Sequence, residues 1–252
     1  MTDTAVRLGI TGTDTGVGKT VVACALLARA RQLGLRVAAM KPLETGVDEH
    51  VVSNTATLSD AVRLRDAAGG VDALSLVRPF AMREPLAPMV AAARAGVTIS
   101  LSVLDAAAHT VSVGRDVLVV EGAGGLLVPI TPETSFLDLF ARWHCDLLLV
   151  AANRLGALNH VLLTVRVAEA SGLAVRGIVL TEHHAEDPTV AAMTNYDALV
   201  SLLPQHTIVR FPWLPCVTDL DALAAAAAAC GLDAMLYSEP LAPTAPGTLF
   251  LD

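Results

Sequence analysis

Short apolar runs alternate along the chain with longer Ala- and Leu-rich segments of helical period. This alternation is typical of repeated β-α-β units, in which helices cover both faces of a parallel sheet. The runs Val117 to Val120 and Leu147 to Val150 are apolar at every position, as expected of strands that are buried on both faces. The pattern therefore predicts an α/β fold with a parallel sheet.

The same pattern gives approximate positions for the elements. We expect strands at Val6 to Thr11, Arg36 to Met40, Val117 to Val120, Leu147 to Ala151, Val175 to Leu180 and Thr207 to Val209. The clearest predicted helices are Thr20 to Leu33, Leu101 to Val113, Ser135 to Trp143, Ala157 to Ser171, Thr189 to Leu202 and Leu220 to Cys230. Loops are expected at Asp48 to Ala56 and Arg78 to Pro88. Residues 1–237 are expected to form one domain, and the Pro-rich tail, 238–252, is expected to be mobile.

The composition is unusually apolar, with 54% hydrophobic and 17% charged residues and a mean hydropathy of +0.57. No stretch without Asp, Glu, Lys or Arg exceeds about a dozen residues, whereas a spanning helix needs about 20 apolar residues. The apolar excess is therefore assigned to a buried sheet and its helices rather than to a membrane span. The first residues lack the features of an export signal, so a cytoplasmic location is expected.

The charge and the cysteines narrow the class of partner. A formal net charge of -8 without a basic cluster argues against binding to nucleic acid. The four cysteines are scattered without C-x-x-C spacing, which indicates neither a disulfide framework nor a zinc site. His183 and His184 have no third ligand at a useful spacing and are expected in a solvated turn. Small molecules are the expected partners.

The segment Gly12 to Thr20 joins the first predicted strand to the first predicted helix and ends in Gly-Lys-Thr. A glycine-rich turn in this position is the form of a P-loop. Its backbone N–H groups would surround phosphates, Lys19 would reach the β and γ oxygens, and Thr20 would ligate Mg2+. The strict pattern has glycine where this chain has Thr13, with Gly12 one residue earlier. A P-loop NTPase fold is expected.

An acidic residue, Glu121, follows the apolar run Val117 to Val120 and precedes Gly-Ala-Gly-Gly. Loops that follow parallel strands emerge at the same edge of the sheet, so Glu121 should face the P-loop and could hold Mg2+ directly or through water. An ordinary acidic loop residue is the alternative. The turn lacks G-x-G-x-x-G spacing, which argues against a dinucleotide site.

Lys41 comes at the carboxyl end of the second predicted strand, at the start of the segment Lys41 to Gly46. The same edge argument brings it near the γ-phosphate. A second cation there would stabilise the charge that develops during phosphoryl transfer. A solvated loop lysine is the alternative interpretation.

Together these segments resemble dethiobiotin synthetases. Members of that family carry G-T-D-T-x-V-G-K-T, K-P-x-x-[ST]-G and V-E-G-A-G-G in this order, and all three motifs occur here. The loop with Thr13 is the family's own form. The resemblance covers roughly residues 8–220, and further matching segments are Ser59 to Ala61, Glu84 to Pro88, Leu155 to His160 and Pro212 to Leu214.

The resemblance implies that the chain converts 7,8-diaminononanoate, CO2 and ATP into dethiobiotin, ADP and phosphate. One substrate amine is carbamated, the carbamate attacks the γ-phosphate to form a carbamic-phosphoric anhydride, and the second amine closes the ring. Lys41 would steady the carbamate and the γ-phosphate, with Lys19 as the other catalytic cation. Thr20, Asp60 and Glu121 would surround Mg2+.

The resemblance also implies which residues contact the substrates. Those expected at the nucleotide are Gly16, Val17, Gly18, Lys19, Thr20, Val21, Asp60, Glu121, Gly122, Ala123, Gly124, Thr181, Glu182, Pro212, Trp213, Leu214 and Asp219. Those expected at the diamine are Thr15, Lys41, Thr45, Pro85, Leu158 and Asn159. The Asn159 segment would reach the site of a neighbouring subunit, so a homodimer is expected. The neighbouring His160 lies at a predicted helix start, where a role in capping is the alternative.

One departure from the family concerns the base. Many members have Asn where this chain has Thr181, followed by Asp where it has Glu182. An Asn amide can pair with N6 and N7 of adenine, a contact worth about 1–3 kcal/mol of base discrimination, and a threonine hydroxyl cannot reproduce it. We therefore expect CTP or GTP to be used as well as ATP, unless Pro212 to Leu214 or Asp219 compensate. Trp213 is equally consistent with covering the base or the core.

Other classes of protein share this architecture. A ParA- or MinD-like partition ATPase would carry a second lysine early in the loop, where this chain has Asp14. An amidoligase acting on a cobyrinate-like substrate would normally carry a glutaminase domain, for which the chain has no room. A non-catalytic paralogue with the same motifs remains open.

Overall fold

A six-stranded parallel sheet forms the centre of the computed structural model, which describes residues 5–47, 59–182 and 189–237. Its strands lie in the order β10-β9-β8-β1-β5-β2. They are β1 (Val6–Gly12), β2 (Val37–Met40), β5 (Val117–Gly125), β8 (Asp146–Ala152), β9 (Val175–Thr181) and β10 (Ile208–Phe211). All six predicted strands are present, which confirms the predicted α/β architecture.

Helices surround this sheet and include all six that the periodicity predicts. Those six are α1 (Lys19–Gln32), α5 (Leu101–Ser112), α6 (Phe136–Arg142), α7 (Ala157–Ala170), α8 (Val190–Leu202) and α9 (Leu220–Ala229). The helices that were not predicted are α2 (Asp60–Ala67), α3 (Leu74–Val77), α4 (Pro88–Ala95) and a 3-10 helix (Leu232–Leu236).

Two small sheets complete the described fold. One pairs β3 (Leu43–Thr45) with β4 (Phe80–Met82) in parallel, and the other pairs β6 (Pro129–Thr131) with β7 (Thr134–Ser135) in antiparallel. The expectation of a loop over Arg78 to Pro88 is therefore wrong in part. Three residues are too few to show a period, so β4 is defined by its pairing with β3 rather than by its own sequence.

Alternate residues of each central strand pack on opposite faces of the sheet. In β5, Leu118 and Val120 belong to one apolar core, while Val117 and Val119 belong to the other. The side chains of successive strand residues point to opposite faces, so a strand covered on both sides must be apolar throughout. This burial explains the continuous apolar runs in the sequence.

Because the strands are parallel, the segments that follow them meet at one edge of the sheet. β1 leads into the predicted P-loop, β2 ends next to Lys41, and β5 carries Glu121, which pairs in register with Ile10 of β1. β5 continues to Gly125 beyond the predicted end, because it follows β1 as far as Gly12.

The remaining predictions concern membrane spans and segments that the structure does not describe. None of the helices in the described ranges is long and apolar enough to cross a membrane. The predicted loop at Asp48 to Ala56, the pair His183 and His184, and the tail at 238–252 lie outside the described residues. The domain boundary at 237 therefore stays a prediction.

Candidate active site

The turn between β1 and α1 has the conformation expected of a phosphate-binding loop. Gly16 and Gly18 have φ angles of 75° and 90°, which glycine adopts without strain. Gly18 caps α1 without a side-chain hydrogen bond, so the N–H groups of the first helical turn can bind an anion. A Cβ at Gly12 would lie 2.9 Å from Lys19 Nζ and 2.8 Å from the Asp14 carbonyl oxygen. Close packing therefore explains the glycine at position 12.

A buried cluster of charged and polar side chains lies beside this loop. Lys41 Nζ donates to Glu121 Oε1 at 2.5 Å, to Asp60 Oδ2 at 3.0 Å and to the Gly122 carbonyl oxygen at 3.3 Å. Thr20 Oγ1 donates to the same Glu121 oxygen at 2.9 Å. Lys41 is 4% exposed and Glu121 is 0% exposed. The adjacency of β2 and β5 and the start of α2 therefore bring three predicted site residues into direct contact.

The pKa values within the cluster follow from burial and from the neighbouring charges. Burial alone would lower the pKa of Lys41, but the charges of Glu121 and Asp60 outweigh it, so the pKa is raised. Burial raises the pKa of Glu121 against the opposing charge of Lys41. Burial would also raise the pKa of Asp60, but the charge of Lys41 and its hydrogen bond outweigh it and lower the pKa. Lys41 is thus held as a fixed cation.

The pKa of Lys19 is shifted in the opposite direction to that of Lys41. Burial, followed by the positive charge of Lys41, lowers its pKa to about 8, although Glu121 and Asp60 oppose the change. Its Nζ donates to the Asp14 carbonyl oxygen at 2.9 Å, which is a neutral partner. A bound phosphate would supply the negative charge that restores the ordinary pKa of Lys19.

The oxygen atoms of Thr20, Asp60 and Glu121 suit Mg2+, which takes one or two carboxylates and completes its shell with water and phosphate oxygens. Glu121 Oε2 is buried and has no hydrogen-bond partner among residues 5–47, 59–182 and 189–237. Leaving such an acceptor unpaired costs free energy, which a ligand would recover. No group of three His, Cys, Asp or Glu in those ranges could hold a metal. The hydroxyl and the nucleotide would therefore be needed to complete a site here.

These groups open onto a cavity of about 700 Å³. The predicted site residues that line it are Thr15, Gly16, Gly18, Lys19, Thr20, Val21, Lys41, Thr45, Asp60, Pro85, Glu121, Ala123 and Gly124. Thr45 ends β3, and Gly46 after it packs closely against Pro85: a Cβ at Gly46 would lie 3.2 Å from Pro85 Cβ. The cavity thus has a phosphate-binding end and a wall formed by Pro85, Leu86, Ala87 and Pro88.

The other residues predicted at the nucleotide have different surroundings. Glu182 Oε1 accepts from Asn153 Nδ2 at 2.8 Å and from Arg210 Nη2 at 2.9 Å. Asp219 caps α9 by accepting from the backbone N–H groups of residues 221 and 222, both at 3.0 Å. Val17 is buried in the core at 2% exposure. These carboxylates therefore already have partners within the fold.

The segment after β10 and the start of α7 hold the remaining predicted residues. Pro212 and Trp213 are exposed, Trp213 at 41%, while Leu214 packs partly against the core. In the first turn of α7, Leu158 packs partly against the other core and Asn159 is exposed. None of these five lies in the described lining of the cavity.

Sequence reasoning missed Glu44, which lies within the Lys41 to Gly46 motif and lines the cavity. Its Oε1 accepts from the Asp60 backbone N–H at 2.6 Å, and its Oε2 accepts from Arg78 Nη1 at 2.9 Å. Both side chains are buried. Glu44 thus holds the start of α2, and with it the carboxylate of Asp60, against the cavity.

The lysine content of the chain was also overlooked. Lys19 and Lys41 are the only lysines in the sequence. The remaining 15 of the 17 Lys and Arg residues are arginines. Both lysines line the cavity. An ammonium is a compact point charge, whereas guanidinium is a planar fork. The described lining therefore contains both ammonium groups of the chain together with the guanidinium of Arg63.

Comparison with known proteins identifies the relatives of this chain. A family model described as an AAA domain matches residues 7–220. An ATP-dependent dethiobiotin synthetase from Anaeromyxobacter dehalogenans (strain 2CP-C) is 42% identical over 208 residues, which are 82% of this chain and 90% of that protein. One from Bacillus cereus (strain B4264) is 40% identical over 172 residues, 68% of this chain and 69% of that protein.

A solved structure of a ParA family ATPase from Chlorobium tepidum aligns with 92% of this chain and 96% of its own, at 13% identity and a TM-score of 0.47. That likeness is too distant to bear on function. The relatives at 40% and 42% identity are named as synthetases, which are ligases. The chain therefore belongs to the family of ATP-dependent dethiobiotin synthetases.

Proposed function

We propose that this ligase closes the ureido ring of dethiobiotin from 7,8-diaminononanoate, CO2 and ATP, with ADP and phosphate as the other products. The observation that carries the proposal is the buried cluster in which Lys41 contacts Glu121 and Asp60 at 2.5 and 3.0 Å. This cluster lies in one cavity with Lys19 and Thr20 of the phosphate-binding loop. An activated phosphoryl group and a reacting anion can therefore meet between two cations.

Binding of the triphosphate would rest on the loop between β1 and α1. Its backbone N–H groups at the start of α1 would bind the phosphates, and Lys19 adds a charge that a phosphate would stabilise. Thr20, Asp60 and Glu121 would hold Mg2+, and Glu121 Oε2, which has no partner within the described part of the chain, supports this assignment. When bound, Mg2+ would neutralise charge on the phosphate oxygens.

The chemical step follows from the charge on Lys41. An oxygen of the carbamate attacks the γ-phosphorus, the bond to the ADP oxygen breaks, and a carbamic-phosphoric anhydride forms. The second amine then attacks the carbonyl carbon, a proton is lost, and phosphate leaves as the ring closes. The raised pKa favours the protonated form of Lys41, so its charge can orient the carbamate and stabilise the charge on the transferred group.

The diamine would lie along the wall of Pro85 to Pro88, in the cavity that Thr45 and Lys41 also line. A chain of methylene groups is compatible with the apolar side chains at Pro85 to Pro88. Thr15, which also lines the cavity, would add a hydroxyl. This arrangement would place one amine near the carbamate-binding cation while the apolar part of the substrate is buried.

We further propose that the enzyme acts in the cytoplasm as a homodimer in which Leu158 and Asn159 of one subunit complete the diamine site of the other. Two observations support this part of the proposal. Asn159 is exposed and lies outside the described lining of its own cavity. Nearby, Leu155 is 87% exposed and Leu163 is 56% exposed, and such apolar surface is a common feature of subunit contacts.

The proposed function is tested by incubating the purified protein with diaminononanoate, bicarbonate and MgATP and measuring phosphate and dethiobiotin together. Equal amounts of both products are expected. Phosphate release without dethiobiotin would show that the substrate assignment is wrong. The Lys19→Gln variant serves as the control, since it should keep the fold and lose nearly all turnover.

A further inference from the structure

Thr181, the last residue of β9, lies directly beneath the phosphate-binding loop. Its side chain is buried at 4% exposure, and Oγ1 lies 2.8 Å from the Val17 carbonyl oxygen and 3.2 Å from that of Ala151. A hydroxyl has one hydrogen to donate, and the shorter contact is to Val17. The methyl group of Thr181 also faces Gly18, because a Cβ added to Gly18 would lie 3.2 Å from Thr181 Cγ2.

The contact to Val17 fixes the orientation of one peptide group of the loop. A trans peptide is planar, and its C=O and N–H groups point in opposite directions. Holding the Val17 carbonyl towards Thr181 therefore turns the N–H of Gly18 the other way. Gly18 lines the cavity, whereas Thr181 and Val17 are absent from its described lining. The N–H is thus directed at the space that the proposed function assigns to phosphate.

We infer that Thr181 is a positioning residue for the phosphates rather than a reader of the nucleotide base. The inference rests on the proposed nucleotide site. The hydroxyl holds the Val17–Gly18 peptide in the orientation that binds phosphate, at the point where Gly18 has a φ of 90°. This role differs from the base contact expected of an Asn at the same position. It also involves only groups that every nucleoside triphosphate presents.

The consequence is a base-independent effect on binding. Without the hydroxyl, the peptide can rotate, and the apparent dissociation constant rises in inverse proportion to the fraction of loops in the competent orientation. We expect a rise of about tenfold, which corresponds to one competent loop in about ten. The rise should be the same for ATP, CTP, GTP and inorganic tripolyphosphate, because all four present the same phosphate chain.

The test compares Thr181→Val, which keeps the shape and removes the hydroxyl, with Thr181→Ser, which keeps the hydroxyl. Dissociation constants for the Mg complexes of ATP, CTP, GTP and tripolyphosphate are measured by titration calorimetry. The expected result is an equal loss of about tenfold for all four ligands in Thr181→Val and affinities within about twofold of wild type in Thr181→Ser. In turnover assays, KM for the nucleotide should rise while kcat at saturation changes little.

Three results would overturn the inference: no loss in Thr181→Val, a loss confined to ATP, or an equal loss in Thr181→Ser. If Thr181→Val does not fold, Thr181→Ala removes the same hydroxyl without adding a methyl group, and its affinities are interpreted in the same way. Failure of the proposed function is a separate outcome. It would appear as absent dethiobiotin formation in the wild type, with tripolyphosphate binding and its dependence on Thr181 unaffected.

Discussion

Replacing Lys41 by Met removes one charge from the buried cluster and keeps the length and the apolar stem of the side chain. Lys41 Nζ is the cation between Glu121 and Asp60. In the Lys41→Met variant, the carboxylate of Glu121, which is fully buried, loses the charge that opposes its desolvation. The variant should therefore be less stable than the wild type in the absence of ligands.

The size of the effect follows from the burial of the pair. The side chains of Lys41 and Glu121 are 5% and 0% exposed, and removing one partner of a buried ion pair costs about 3–5 kcal/mol. For a chain of this length, each kcal/mol shifts Tm by about 2–4 °C, so the expected decrease is about 6–20 °C. In Lys41→Met/Glu121→Gln both charges are gone, and most of the loss should be recovered.

The assay is thermal and urea unfolding of the wild type, both single variants and the double variant without ligands. The Asp116→Asn variant is the control, because the side chains of the Arg36–Asp116 pair are 65% and 35% exposed, so its loss should lower Tm far less than loss of the buried pair. A Lys41→Met protein as stable as the wild type would refute the reasoning. So would a double variant that is less stable than Lys41→Met, because the two charges would then not be compensating one another.

Three further expectations concern the site. Since an amine reacts only when it is unprotonated, the pKa of about 8 leaves about half of Lys19 reactive at pH 8, against about 0.3% of an ordinary lysine. Peptide mapping after acylation should therefore find Lys19 modified, Lys41 unmodified, and less modification of Lys19 when MgATP is present; equal labelling of the two lysines would contradict this. Glu44→Gln should raise the half-saturating Mg2+ concentration severalfold with little change in Lys19 labelling, because the hydrogen bond that positions Asp60 is weakened. An unchanged Mg2+ dependence would exclude a role of Glu44 in positioning Asp60. Mixing inactive Lys41→Leu and Asn159→Ala subunits should restore about a quarter of wild-type activity if sites are shared, because about half of the dimers would be mixed and each mixed dimer would have one intact site of two. An active monomer at micromolar concentration would exclude sharing.

Much of the fold could be predicted because its signals are local. Strands buried on both faces must be apolar throughout, so β5 and β8 are visible in the sequence. Parallel strands share a carboxyl edge, so the position of Lys41 and of Glu121 near the P-loop follows from the fold class. The contact between the two side chains depends on the pairing of β2 with β5. The short β3 and β4 have no such signal. Each is three residues long and exists because it pairs with the other.

The parts of the site that could not be predicted depend on contacts between distant residues. The hydrogen bond from Thr181 to Val17 spans 164 residues, and the pair of Glu44 with Arg78 spans 34. The local pattern of apolar residues in the sequence gives no indication of such long-range contacts. Helix α2 was missed although its sequence carries a local signal. Ser59 is a favourable N-cap residue, and the buried residues Ala61, Leu64 and Ala67 follow at spacings of three. That pattern was short and interrupted by charges.

The most direct test of the central claim follows one oxygen atom. In the proposed reaction, the carbamate oxygen that attacks the γ-phosphorus leaves with the phosphate, and the other oxygen stays in the ureido carbonyl. A short incubation with 18O-labelled CO2, diaminononanoate and MgATP, followed by mass spectrometry of both products, distinguishes the paths. The account predicts one labelled oxygen in each phosphate and one in each dethiobiotin. Phosphate that carries oxygen only from water or ATP would contradict it.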